Sequence, residues 1–200
     1  DALPIFDSLT IGASNAQVTD VTFEKSVVVD GNLSIYASGI VNFNAGVRIN
    51  KGGSLRIEGA SSVAFMGGEV VLNPVTIGGT GSTGASGNIF LETNSLTLPA
   101  LDDSVRATGT GSLLTLRPTD TARPVLLFSP AIPVTDTVAP SLDLSSALMD
   151  KIATSTFAEM VIGHEGTGST GRLVPDATPT LTLPGTISTP ATNGQIQLPN

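Results

Sequence analysis

Apolar residues in this chain fall in pairs of the form apolar-x-apolar, separated by short polar and glycine-rich joints. Between Leu33 and Leu72 the pairs Leu33/Ile35, Val41/Phe43 and Val47/Ile49 return as Leu55/Ile57, Val63/Phe65 and Val70/Leu72, with Leu33 and Leu55 22 residues apart. A period of two marks a short strand with one buried face. A repeat of this length that holds three such strands and no helix predicts an all-β parallel β-helix, a β-solenoid with about three short strands per ~22-residue coil. The ten residues of these pairs from Leu33 to Phe65, namely Leu33, Ile35, Val41, Phe43, Val47, Ile49, Leu55, Ile57, Val63 and Phe65, are the expected structural ladder.

The same pattern places the first coil at Leu9/Ile11, Val21/Phe23 and Val27/Val29, after a lead-in over residues 1–8. Its first corner is longer than the next, so Ser14 to Asp20 should bulge outward. The turns Asp30-Gly31-Asn32 and Asn50-Lys51-Gly52-Gly53-Ser54 supply residues that tolerate positive φ, as a sharp corner demands. After Leu72 the pairs continue as Val75/Ile77, Ile89/Leu91, Leu96/Leu98, Leu114/Leu116 and Val125/Leu127, with connectors of uneven length. Residues 129–141 carry three prolines, which cannot donate to a ladder, and read as an external excursion. Leu144, Leu148 and Ile152 recur every fourth residue behind a capping Ser145, which predicts a short helix over 145–157. Met160-Val161-Ile162, Leu181/Leu183 and Ile196/Leu198 then return to strand.

The chain is therefore read as a single solenoid segment over 1–200: regular coils at 9–77, looser coils at 78–141, the helix, and terminal coils at 158–200. Roughly eight coils at about 4.8 Å each make a body of about 40 Å. The opening at Asp1 suggests a processed or excerpted chain, and a last coil without a polar cap is expected to expose unpaired backbone groups.

Composition narrows the function classes. A net charge of −8, with Lys and Arg scattered singly, leaves no basic stripe for phosphates and argues against nucleic acid. No run of 18 apolar residues exists, so no membrane insertion is expected. Cysteine is absent, which removes disulfides and thiolate metal sites. Aromatics make up only 4% of the chain, too few for a sugar-stacking groove.

The motifs that carry chemistry elsewhere are thin here. Gly79 to Gly84 fits G-x-G-x-x-G after a strand but lacks the helix that would face a phosphate, and the string recurs at Gly166 to Gly171, so both read as reused loops. His164 beside Glu165 is the one histidine, without the partners of a triad or a zinc site. Asp102-Asp103 is the one adjacent acidic pair and the candidate for a surface calcium site. Asn32-Leu33-Ser34 is a glycosylation sequon whose Leu33 should be buried. The middle residues Thr10, Ser34, Arg56, Thr76, Thr97, Thr115, Asp143 and Thr182 form an expected outward column, as exposed strand positions prefer. No catalytic residue, resident metal or cofactor is assigned.

The phrases SLTIGAS, NLSIYASGIVNFNAGVRI, GGSLRIEGASSVAF and LDLSSALMDKIATSTFAEMVIG resemble the repeats of giant bacterial surface proteins, the filamentous-haemagglutinin-like adhesins and LEPR-XLL-type surface proteins. The likeness covers 9–77 and, less fully, 142–163. It implies a right-handed coil exported to the extracellular cell surface as part of a long fibre or adhesin. The expected function is non-enzymatic: a structural or adhesive segment that polymerises end to end with itself or with neighbouring segments, its further expected partners being surface glycans or a host or neighbouring cell surface. The alternative is a carbohydrate-binding or carbohydrate-cleaving β-helix, a polysaccharide lyase or hydrolase or a phage tailspike shaft.

Overall fold

A computed structural model describes residues 5–77, 82–120, 123, 125–127, 142–163 and 186–188. The regular region gives β1 (Leu9–Ile11), β2 (Val21–Phe23), β3 (Val27–Val29), β4 (Leu33–Tyr36), β5 (Ile40–Phe43), β6 (Val47–Ile49), β7 (Leu55–Ala60), β8 (Ser62–Phe65) and β9 (Val70–Leu72). The later part adds β10 (Thr76–Ile77), β11 (Ser82–Thr83), β12 (Ile89–Thr93), β13 (Leu96–Thr97), β14 (Val105–Ala107), β15 (Leu113–Arg117), β16 (Val125–Leu127), β17 (Leu142–Leu144), α1 (Ser146–Met149), β18 (Glu159–Ile162) and β19 (Thr186–Ser188).

Every third strand of the regular region joins the same sheet. Sheet I has seven strands in the order β1-β4-β7-β12-β15-β18-β19, sheet II runs β2-β5-β8-β13, and sheet III runs β3-β6-β9-β14. All pairings within these three sheets are parallel. The arrangement is all-β and consistent with a parallel β-solenoid.

Register follows the apolar pairs. Leu9, Leu33, Leu55, Ile89, Leu114 and Met160 stand in one row of sheet I. Val21, Val41, Val63 and Leu96 do so in sheet II, and Val27, Val47, Val70 and Val105 in sheet III. A slip of one residue would turn each apolar row outward, so burial itself enforces this alignment. All ten ladder residues from Leu33 to Phe65 are buried. Fully burying side chains of this size stabilises by about 1.5–3 kcal/mol each. Phe23, Phe43 and Phe65 stack with centroids 4.8 Å apart and planes 8° from parallel, which matches the strand spacing of the sheet.

Polar ladders fix the corners. Asn32 accepts from the Ser54 backbone N–H at 2.9 Å, Ser54 Oγ accepts from Asn88 N–H at 3.0 Å, and Asn88 accepts from Leu113 N–H at 2.9 Å. At another corner Asn50 donates to Asp30 at 2.9 Å and Asn73 donates to Asn50 at 2.8 Å. Each side chain thus satisfies a neighbour one coil away. Between Asn32 and Ser54 the strands also approach so closely that a Cβ on Gly53 would lie 2.0 Å from the Gly31 carbonyl oxygen, and one on Gly87 equally close to that of Gly53. Only glycine fits that column.

Several expectations change. Val75/Ile77 leaves the stack: Thr76–Ile77 pairs antiparallel with Ser82–Thr83, and Val75 is exposed. Strands this close in sequence can close only an antiparallel hairpin, since parallel pairing needs a long crossover. Ile89/Leu91 takes the vacated place beside Leu55/Ile57. A connector in the sequence reading, Val105–Ala107, is a strand of sheet III. The helix expected over 145–157 shrinks to one turn, with Ser145 Oγ accepting from Leu148 N–H at 3.3 Å, followed by a 3-10 turn at Thr154–Thr156. Leu144 and Ile152 recur at helical spacing because both belong to strand pairings, Leu144 to Leu127 and Ile152 to Val105. The bulge at Ser14–Asp20 is present, closed by an Ala13–Ala16 bridge and tied back by Val18 to Ala37. The proline-rich excursion at residues 129–141, and the pairs Leu181/Leu183 and Ile196/Leu198, lie outside the described residues.

Candidate functional site

The inward rows are closed by packing, so chemistry must come from outward faces and open edges. On sheet I the outward row reads Thr10, Ser34, Arg56, Phe90, Thr115 and Val161. This replaces the expected threonine column. Thr76 lies in the hairpin, Thr97 in sheet II and Asp143 in the β16–β17 pair, because the uneven connectors shift which pair enters which sheet. Thr182 lies outside the described residues.

Phe90 is flanked by cations from the strands on either side. The Arg56 guanidinium carbon is 4.2 Å from the ring centroid and that of Arg117 4.5 Å. Arg56 is in turn paired with Glu58, and Arg117 with Glu92 at 2.6 Å. These contacts neutralise the four charges and cover the aromatic ring, so the cluster reads as a lateral staple between β7, β12 and β15.

Sheet III carries a different surface. Its outward row is Val28, Arg48, Val71 and Arg106. Beside it a groove of about 460 Å³ is lined by Ser26, Val27, Val28, Gly46, Val47, Arg48, Glu69 and Val71. Ser26, Gly46 and Glu69 precede β3, β6 and β9 and stack on successive coils, with Val27 N–H donating to Gly46 and Val47 N–H to Glu69. Glu69 receives Arg106 through two hydrogen bonds of 2.7 and 2.8 Å. The Arg106 guanidinium holds the Glu69 carboxyl below its ordinary value of 4.5, with Arg48 adding a smaller through-space contribution. Arg48 is exposed and has no ion pair or hydrogen bond among the described residues.

The third feature is the edge of the first coil. Among the described residues β1 pairs only with β4 and β2 only with β5, while β3 is partly covered by a Phe6–Val29 bridge. Leu9, Ile11, Val21 and Phe23 are only partly buried there, and Ile5 and Phe6 are exposed.

The residues singled out from sequence fall elsewhere. Asp102 binds Lys151 Nζ at 2.5 Å, and Asp103 sits at φ 54° with its N–H donating to Asp150. No group of three metal-ligating side chains occurs among the described residues. Asn32 of the sequon is engaged in the corner ladder and Leu33 is fully buried. His164, Glu165 and Gly166 to Gly171 are outside the described residues, as are Gly79 to Gly81. The groove was not found from sequence. Its one signal was the placement of Arg48 between Val47 and Ile49, which puts a guanidinium on an outward strand position.

No family model, curated protein or solved structure matches this chain.

Proposed function

We propose that the chain is a non-enzymatic segment of an extracellular bacterial surface fibre or adhesin, wound as a right-handed parallel β-helix and able to stack end to end on further coils of its own kind. The observation that carries this reading is the first-coil edge. Among the described residues β1 and β2 each pair on one side only, and Leu9, Ile11, Val21 and Phe23 are packed from one side of their stacks. An added coil in parallel register satisfies both, because strand addition supplies backbone hydrogen bonds and the repeat supplies the side-chain complement. A contact between unlike ends is heterologous and does not close on itself, so it grows filaments. Right-handed crossover is the rule for parallel strands joined in this way.

The test is sedimentation across a concentration series, with electron microscopy of the same samples. Filaments or concentration-dependent growth, abolished by Phe23→Asp while the variant keeps the β-sheet circular dichroism of the parent, are the expected result. A protein that stays monomeric at every concentration overturns the reading. A depolymerisation assay across a polysaccharide panel tests the carbohydrate-cleaving alternative.

A further inference from the structure

The groove on sheet III has the makings of a ligand site. Its volume of about 460 Å³ lies within the range of small-molecule pockets, about 300–1,000 Å³. It crosses three successive coils, which at a strand spacing of about 4.8 Å gives roughly 10 Å between its outer strands. Gly46 contributes only backbone to its floor, and a Cβ placed there would face the next coil, meeting the Glu69 carbonyl oxygen at 3.2 Å. Such a floor is rigid, since β3, β6 and β9 hold it by parallel pairing on both sides of β6.

The charges around it are unequal. Glu69 is already taken by both terminal nitrogens of Arg106. Arg48 therefore keeps its hydrogen-bond donors free, and Lys25, adjacent to Ser26, is also exposed. Glu24, the other nearby carboxylate, accepts from Asn44 at 2.8 Å. In a chain of net charge −8, Arg48 thus places an exposed guanidinium, unpaired among the described residues, on this groove. A planar guanidinium matches a carboxylate through two parallel hydrogen bonds. Val28 and Val71 add apolar wall, while the Ser26 hydroxyl suits a ligand hydroxyl group.

We propose that this groove binds a hydroxylated carboxylate, the uronate unit of an acidic sugar chain or its free monomer, with Arg48 holding the carboxylate. The assignment rests on the lateral groove and does not depend on end-to-end assembly.

The experiment is titration of the intact protein with tetragalacturonate, followed by calorimetry and by amide shifts of Ser26, Gly46, Arg48 and Val71. Saturable binding with shifts confined to these positions is expected. Arg48→Gln should weaken it by about tenfold or more, the loss of a charge-assisted bidentate contact. Arg48→Lys should recover part of the loss. The same titration with monomeric galacturonate separates the two sources: equal affinity per molecule points to the free acid, tighter binding of the oligomer to the polymer. Absence of saturable binding to either probe, binding unchanged in Arg48→Gln, equal binding of neutral tetragalactose, or stronger binding of an acidic peptide at the same residues would each overturn the assignment.

Discussion

The coils up to Leu72 and the coils after it are built on the same sheets but held by different means. In the first region inter-coil hydrogen bonds join residues 20, 22 or 24 apart, and the cross-coil contacts are mainly polar side chains and stacked phenylalanines, with one ion pair, Lys51–Asp30, at 2.7 Å. In the second the separations widen to 25, 34 and more, and ion pairs such as Arg106–Glu69 and Arg117–Glu92 bridge the coils. Among the described residues sheet I counts seven strands across both regions, while sheets II and III count four each, only one of them after Leu72 and sheet III extended by a Val105–Ile152 bridge. One wall of the stack thus carries continuity while the others absorb insertions. The lesson is that strand register sets the coil, and corner length is free so long as the next apolar pair returns to its row.

Breaking the regular region should have the largest effect. Phe43→Asp puts an unpaired charge between two stacked rings in a site with no solvent exposure. Even truncation of a buried phenylalanine costs about 3–5 kcal/mol, so loss of the cooperative thermal transition by circular dichroism is expected. Gly53→Ala comes next. Its methyl group would collide with the Gly31 backbone, and urea unfolding should show a loss of more than about 2 kcal/mol, against a much smaller change at Gly111, where a Cβ meets nothing within 4 Å. Gly111 sits at φ 76°, so its own cost to alanine reports backbone strain alone.

Asn50→Ala tests the corner ladder. It removes both the donation to Asp30 and the acceptance from Asn73, and a decrease of about 1–2 kcal/mol in unfolding free energy is expected. Arg117→Ala probes the later region, where the corresponding contacts are partly exposed. The loss should be about 0.5–1.5 kcal/mol, and its ion-pair part should shrink in high salt. If Arg117→Ala proved as costly as Asn50→Ala at high salt, the proposed division between the two regions would fail.

Acidification gives the smallest effect. The Lys51 ammonium, and next the Asn50 amide, hold Asp30 below its ordinary 3.8, and Arg106 holds Glu69 below 4.5. A carboxyl depressed in the folded state contributes stability above its unfolded value and loses it as pH falls through the lower folded value. Melting temperature should therefore be insensitive to these groups near neutrality and decline below about pH 4.5, with a shallower decline in Asp30→Asn.

By itself the sequence determined the strands, their period and their burial. Pairs such as Val41/Phe43 and Val63/Phe65 are legible because a half-buried strand must alternate, and a parallel stack must bring like residues into one row. It did not reveal Val105–Ala107, since Ala107 is too small to mark an apolar pair on its own. It assigned a helix to Leu144 and Ile152, because two strand residues eight apart mimic a helical face. Which pair enters which sheet after Leu72 was decided only in three dimensions: the hairpin Thr76–Thr83 closes locally, and the chain rejoins at Ile89 because only there does an apolar pair meet the open side of Leu55/Ile57. The groove beside Arg48 has the same origin. Ser26, Gly46 and Glu69 are unremarkable in sequence, and they become one surface only when three coils place them a strand spacing apart.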